Sequence, residues 1–458
     1  MNTRRNTILG LFLFCISFCT ACVGGGKPHS DNRDGLKHAP KNVIIFIADG
    51  CGFNHIKAAD YYLCGDFPCP QYEDFPVQMA MSTYAAGGNY DPDAAWSSFN
   101  YVKINPTDSA AAATAMAAGT KSYNAAIGVD SDGKVVLNLV ERAEQLGKAT
   151  GVVTSVPFNH ATPAGFVAHN TSRNNYTQIA DDMVNESTAD VVMGCGHPFY
   201  DADGRNRSYP RYKYISSTVW NGLVNGSAGG DADGDGIADP WMLIETREQF
   251  QALAAGPAPK RVFGLVRVYE TLQEKRSGNS HADPYQVPLV ETVPTLEEMT
   301  LAALNIIDDD PDGFFLMIEG GAIDWAAHSN ESGRLIEEIE DFNNSIEAVV
   351  GWMHKNSNWG ETLIIITADH ETGYLTGPGS GQQPEGAVWN DLVNNGLGNL
   401  PDMEWNSGSH TNSLVPFFAK GRGANLFKDR IVGHDPVRGQ YIDNTSIANV
   451  IFSLWSSD

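Results

Sequence analysis

The sequence predicts an α/β protein built on a large, mostly parallel central sheet flanked by helices on both faces, and three observations carry that prediction. Short continuous apolar runs recur along the chain, helical stretches separate them, and acidic or imidazole residues stand just beyond the ends of several runs. Strand–helix alternation is the signature of a parallel sheet covered on both faces, and polar groups past the carboxyl ends of its strands mark where such sheets bind ligands.

The first run, NVIIFIA at 42–48, has no polar alternation and suits a strand buried on both faces. The same reading applies to ATGVVTS (149–155), ADVVMG (189–194), RVFGLV (261–266), GFFLMIE (313–319), TLIIITA (362–368) and LVPFFAK (414–420). Helices are predicted for the Ala-rich stretch after Ser109 and for 135–147, 296–307 and 333–355. The segment from about 172 to 298 is rich in Tyr, Gly, Asp and Asn and reads as an insertion decorating the rim of the site. No fixed-period repeat is present.

The chain of 458 residues carries a formal net charge of -25, with 42% hydrophobic and 19% charged residues. That is a globular composition, and its acidity argues against a nucleic-acid partner, which requires a basic face to displace counterions. An anionic substrate would need local positive charge from metal ions or arginine. Arg4 and Arg5 precede an apolar run that ends in Cys19-Thr20-Ala21-Cys22. The expectation is a signal peptide over 1–21, a flexible tether over 22–40, with Cys22 as a lipid-anchor site, and one catalytic domain over 41–458. An exported bacterial protein, periplasmic or membrane-anchored, follows. Export permits disulfides, and Cys64 and Cys69 are close enough for a small loop, though sequence leaves the pairing among Cys51, Cys64, Cys69 and Cys195 open.

Asp49 follows the first predicted strand, Glu319 ends another, and Asp369 with His370 follows a third. In EGGAIDWAAHSN, Asp324 and His328 are four apart, on one face of a helix where both can grip one ion. His410 lies in a predicted loop, NSGSHTNS. Ser109, in TDSAAAATA, stands at a helix N-terminus that favours an anion. Its hydroxyl needs a base or a metal to become a nucleophile, and no GxSxG elbow surrounds it.

Six segments, KNVIIFIADG, TDSAAAATA, ATPAGFVAHNTSR, FFLMIEGGAIDWAAH, TADHETG and SGSHT, match in order and spacing those of the alkaline phosphatase family, which the chain resembles from about residue 41 to 455. The resemblance implies hydrolysis of small phosphate monoesters through a phosphoserine on Ser109. It implies one Zn2+ held by Asp324, His328 and His410, a second by Asp49, Asp369 and His370, and a third site, usually Mg2+, on Asp49, Thr162 and Glu319. Nitrogen and oxygen donors suit catalytic zinc, and an all-oxygen set suits magnesium. Arg173 would grip two phosphate oxygens, as a planar guanidinium fork can, with Asp108 holding it in place. A homodimer is also implied.

Two positions near the third metal depart from the best-known bacterial pattern: His160 replaces an aspartate and Trp325 a lysine, a pair that looks like that of a subset of bacterial members. His160, as a softer ligand or neighbour, is expected to weaken magnesium relative to zinc, and Trp325 to remove a cation that helps hold phosphate. DADGDGIAD places Asp231, Asp233, Asp235 and Asp239 at alternating spacing around Gly236, which resembles a Ca2+ loop without the final bidentate Glu. Other functions compete with this one: a phosphodiesterase of the same superfamily would usually carry a threonine nucleophile and no matching arginine, and a calcium-binding surface lipoprotein on an inactive scaffold should lack ligands. Sulfatase chemistry would need a CxPxR segment, and the only Cys-Pro pair, Cys69-Pro70, continues differently. Cofactor-independent phosphoglycerate mutases share much of the metal scaffold and a serine, but an export signal fits them poorly.

Overall fold

The computed structural model describes residues 39–232 and 236–456. The predicted signal peptide and Cys22 lie outside the described residues.

An eleven-stranded sheet runs through the molecule. In chain order its strands are β1 (Asn42–Ala48), β2 (Val77–Ser82), β3 (Ala149–Pro157), β4 (Val191–Cys195), β5 (Met242–Ile244), β6 (Val262–Leu265), β7 (Phe314–Gly320), β8 (Thr362–Thr367), β9 (Val415–Gly421), β10 (Ile431–Asp435) and β11 (Gly439–Asp443). Their order across the sheet is β10-β11-β2-β9-β8-β1-β7-β3-β4-β6-β5. From β8 to β5 every neighbouring pair is parallel, whereas β9 runs antiparallel to both β8 and β2. β1, β7 and β8 are buried along their whole length, as their unbroken apolar runs predict.

Register brings distant residues together. Ile47 of β1 pairs with Glu319 of β7 and with Thr367 of β8, so Asp49, Glu319 and Asp369 emerge at one level of the same sheet edge. Thr154 of β3 pairs with Glu319 on the other side of β7.

The helices that carry or support the site are α1 (Phe53–Cys64), α2 (Ser109–Ala118), α3 (Ala161–Val167), α4 (Leu296–Ile307), α5 (Ala322–His328), α6 (Ser332–Asn356) and α7 (Ser446–Trp455). α2 is buried on every side, which its small alanines allow. The helix expected over 135–147 is confined to Leu139–Gln145. Asn138 starts it with a capping box, its side chain accepting from the Glu141 amide while Glu141 accepts from the Asn138 amide. Segment 172–298 supplies β4, β5 and β6 as well as rim loops, so it extends the sheet in addition to bordering the site. Cys64 and Cys69 form a disulfide, while Cys51 and Cys195 are buried thiols. No described helix is long and apolar enough to cross a membrane.

Candidate metal centre

Asp49, Glu319, Asp369 and His370 are wholly buried where β1, β7 and β8 end. The Gly50 amide donates to Asp369 Oδ1 at 3.0 Å, and Thr154 Oγ donates to Glu319 Oε2. Gly50 takes a left-handed conformation (φ 72°), and a β-carbon there would lie 2.8 Å from Asp324 Cα. This glycine lets the β1 turn pass directly against α5.

α5 presents Asp324 and His328 one turn apart, with His328 Nε2 3.4 Å from Asp324 Oδ2. His410 sits on a two-residue strand paired with Glu371–Thr372, where the sequence suggested a loop; so short a pairing leaves no periodicity to read. The pairing stacks the His410 ring on His370 at 3.7 Å between centroids. One ligand atom each from Asp324, His370 and His410 lies within 4.8 Å of the others, and the same holds for Asp49, Asp369 and His370. Thr162, the second residue of α3, is fully buried.

The donor chemistry fits cations. Both oxygens of Asp49, Asp369 Oδ2, Glu319 Oε1 and Thr162 Oγ are buried without a hydrogen-bond partner. Buried acceptors left so are costly unless a cation completes them. Burial, and then the neighbouring carboxylates, drive Asp49 well above the usual carboxylate range, and burial pushes Glu319 and Asp369 each up to about 7. His328 Nδ1 and His410 Nδ1 stand 2.8 and 2.9 Å from the carbonyls of Gly408 and Thr107. Donation there turns both Nε2 lone pairs toward each other at 3.0 Å, an arrangement a shared cation relieves. Burial holds His370 and His410 in the neutral form that binds metal.

Ser109 is the first residue of α2 and is buried, its Oγ 3.3 Å from His370 Nε2. Asp108 caps that helix: Oδ1 accepts from the Ala111 amide at 3.0 Å, while Oδ2 accepts from the Ala125 amide at 2.9 Å and from Arg173 Nη1 at 3.1 Å. The Arg173 guanidinium therefore faces the same cleft as Ser109. His160 Nε2 is 3.5 Å from Arg173 Nη2, and its Nδ1 is buried without a partner. Burial, then Arg173 and Lys213, keep His160 uncharged. Trp325 packs edge-on against His160, ring centres 5.5 Å apart.

Sequence reasoning missed several residues here. Thr372 Oγ donates to Asp324 Oδ1 at 2.6 Å, and Thr154 supports Glu319. A threonine two residues after a ligand pair is too common to single out. Lys275 also lines the cleft, its Nζ 5.5 Å from the Trp325 ring centre and 2.6 Å from Glu274 Oε1. Of the candidate calcium residues, Asp233 and Asp235 lie outside the described residues; Asp231 Oδ2 accepts from the Gly236 amide and Asp239 Oδ2 from the Ala232 amide.

The alkaline phosphatase family model matches residues 40–391. Alkaline phosphatase 4 of Bacillus subtilis is 32% identical over 356 residues, covering 75% of this chain and 64% of the Bacillus protein. The chain thus spans less than two thirds of that relative's length. Escherichia coli alkaline phosphatase is 30% identical, with 74% of this chain and 72% of that one covered. The structure of alkaline phosphatase from the Antarctic bacterium TAB5 superposes with a TM-score of 0.62 at 27% identity, covering 91% of this chain and 99% of that one. By family model, by relatives and by fold, the chain belongs to the alkaline phosphatase family.

Proposed function

We propose that the protein hydrolyses phosphate monoesters to an alcohol and inorganic phosphate through a covalent phosphoserine on Ser109. The observation that carries this reading is the meeting of Ser109 Oγ, at the start of a buried helix, with the Arg173 fork and a pocket of buried, unpartnered carboxylate oxygens. Asp324, His328 and His410 would hold one zinc ion, Asp49, Asp369 and His370 a second, and Asp49, Thr162 and Glu319 a magnesium ion. Bound there, divalent ions supply the positive charge and Lewis acidity that activate a hydroxyl and neutralise developing negative charge. A His-to-Asp mutant of the TAB5 enzyme has been solved with Mg bound in the M3 site, which supports magnesium as the third metal.

In the first half-reaction Ser109 Oγ forms a bond to phosphorus while the bond to the leaving alcohol breaks, and the alcohol departs with a proton. In the second, water adds to phosphorus and the bond to Oγ breaks, returning the serine and releasing phosphate. Arg173, fixed by Asp108, holds two phosphoryl oxygens in both halves, and the free amides at the start of α2 face the same charge. The predicted signal peptide and the Cys64–Cys69 disulfide support a site of action outside the cytoplasm.

The test is hydrolysis of p-nitrophenyl phosphate at pH 8 to 10 with zinc and magnesium supplied, beside matched diesters and sulfates. Monoester turnover that Ser109→Ala abolishes supports the reading. Absence of monoester turnover by a metal-loaded, folded wild type overturns it.

A further inference from the structure

The cleft grows more open from floor to mouth along one wall. Ser109 and His160 are 2% and 8% exposed, whereas the Arg173 and Lys275 side chains are 17% and 35% exposed. On the proposed reading the transferred phosphoryl group occupies the floor, against Ser109 and Arg173. Whatever Lys275 meets at the mouth belongs to the rest of the ester.

Lys275 is held in place there from two sides. Its Nζ lies 2.6 Å from Glu274 Oε1, a carboxylate whose side chain is fully buried and so anchored in the rim, and 5.5 Å from the Trp325 ring centre. Trp325 in turn packs against His160, so the ammonium is indexed to the catalytic wall through one ring contact. A second lysine acts on His160 from outside the cleft lining: Lys213 Nζ is 5.4 Å from the Tyr176 ring centre, and that ring lies nearly parallel to His160. Both lysines come from segment 172–298, and both oppose the charge of a chain at -25 that otherwise repels anions.

We propose that Lys275 is a specificity-determining residue, contacting a second anionic group on the leaving alcohol, so that this enzyme favours phosphate monoesters whose leaving group is itself negatively charged. The proposal rests on the monoesterase reading above. Among the described residues that line the cleft, the ammonium is the charged group that stands at the mouth outside the proposed metal ligands, and a compact point charge with three donors can meet an anion while keeping its bond to Glu274.

The experiment compares kcat/KM for phenyl phosphate and 3-carboxyphenyl phosphate in the metal-loaded wild type, Lys275→Met and Lys275→Arg. The wild type is expected to prefer the carboxylated ester, and Lys275→Met to lower the ratio of the two kcat/KM values by about 1.5-fold to fivefold, the range of one exposed charge pair. Lys275→Arg should restore most of the ratio. Should Lys275→Met fail to fold, the wild-type ratio is measured between low and high salt, where screening of an exposed contact lowers it. A ratio unchanged by Lys275→Met, or in its absence a ratio flat against salt, overturns the proposal while phenyl phosphate turnover leaves the monoesterase reading intact. No turnover of either ester defeats the underlying reading instead.

Discussion

Gly50 offers a sharp test of how tightly the β1 turn and α5 are coupled. In Gly50→Ala the new β-carbon would meet Asp324 Cα, Cβ and Oδ1 at 2.8 to 2.9 Å. Rotating a side chain cannot relieve the contact, because one of those atoms is backbone. The left-handed backbone costs about 1 to 2 kcal/mol for alanine, and the overpacking about 1 to 3 kcal/mol more. The sum, roughly 2 to 5 kcal/mol, should lower the melting temperature of the metal-loaded protein by about 2 to 6 °C, since the unfolding entropy of so long a chain is large. The relief available is a shift of α5 away from β1, which carries Asp324 with it and separates it from His410, now 3.7 Å from its carboxylate. Zinc bound after dialysis should therefore fall below the wild-type content, and kcat/KM should drop about a hundredfold, the scale of an ångström's misplacement at a reacting centre. Calorimetry, metal analysis and kinetics on the same preparation measure all three. A variant that melts within 1 °C of wild type (about the error of the scan), or one that melts lower with full zinc and full activity, would refute the coupling.

Three further outcomes are expected. His160→Asp should raise magnesium affinity, since a carboxylate replaces an uncharged imidazole beside the Thr162–Glu319 pocket; equal affinity by titration counts against it. Replacing Cys64 and Cys69 by serine should cost about 2 kcal/mol by loop entropy and leave kcat/KM unchanged, because the bridge closes the end of α1 remote from Asp49; a loss of activity without a loss of melting temperature would contradict this. His169, 2.8 Å from Glu141 Oε1, is pulled down by burial but carried above its ordinary pKa by Glu141 and the Gly128 carbonyl, while Glu141 is held below its own. A raised folded-state pKa makes the His169 contribution full below about pH 6.5 and lost as pH rises through the folded value; the lowered Glu141 value makes its contribution fade as pH falls below about 4.3. The melting difference between wild type and His169→Gln should then be largest near pH 5 to 6 and shrink toward pH 9, and a difference constant over that range would exclude the linkage.

Much of the fold was legible because buried parallel strands leave unbroken apolar runs, and β1, β7 and β8 were read nearly to the residue. β2, β5, β10 and β11 escaped, being short or mixed in polarity and paired through contacts made elsewhere in the sheet. The reversal of β9 escaped as well, since an apolar run carries no sign of its direction.

The sequence by itself determined which chemistry the chain can hold: a serine at a helix start, carboxylates past strand ends, and Asp324 with His328 one turn apart are all set by local spacing. Tertiary structure alone decided which groups share a pocket. Parallel register aligned Asp49 with Glu319 and Asp369, a two-residue pairing set His410 on His370, and a rim segment brought a lysine to the side of Trp325. Those juxtapositions join residues as much as 320 positions apart, Asp49 and Asp369 being the farthest, and the packing and hydrogen bonds that impose them act through space, where local sequence pattern has no reach.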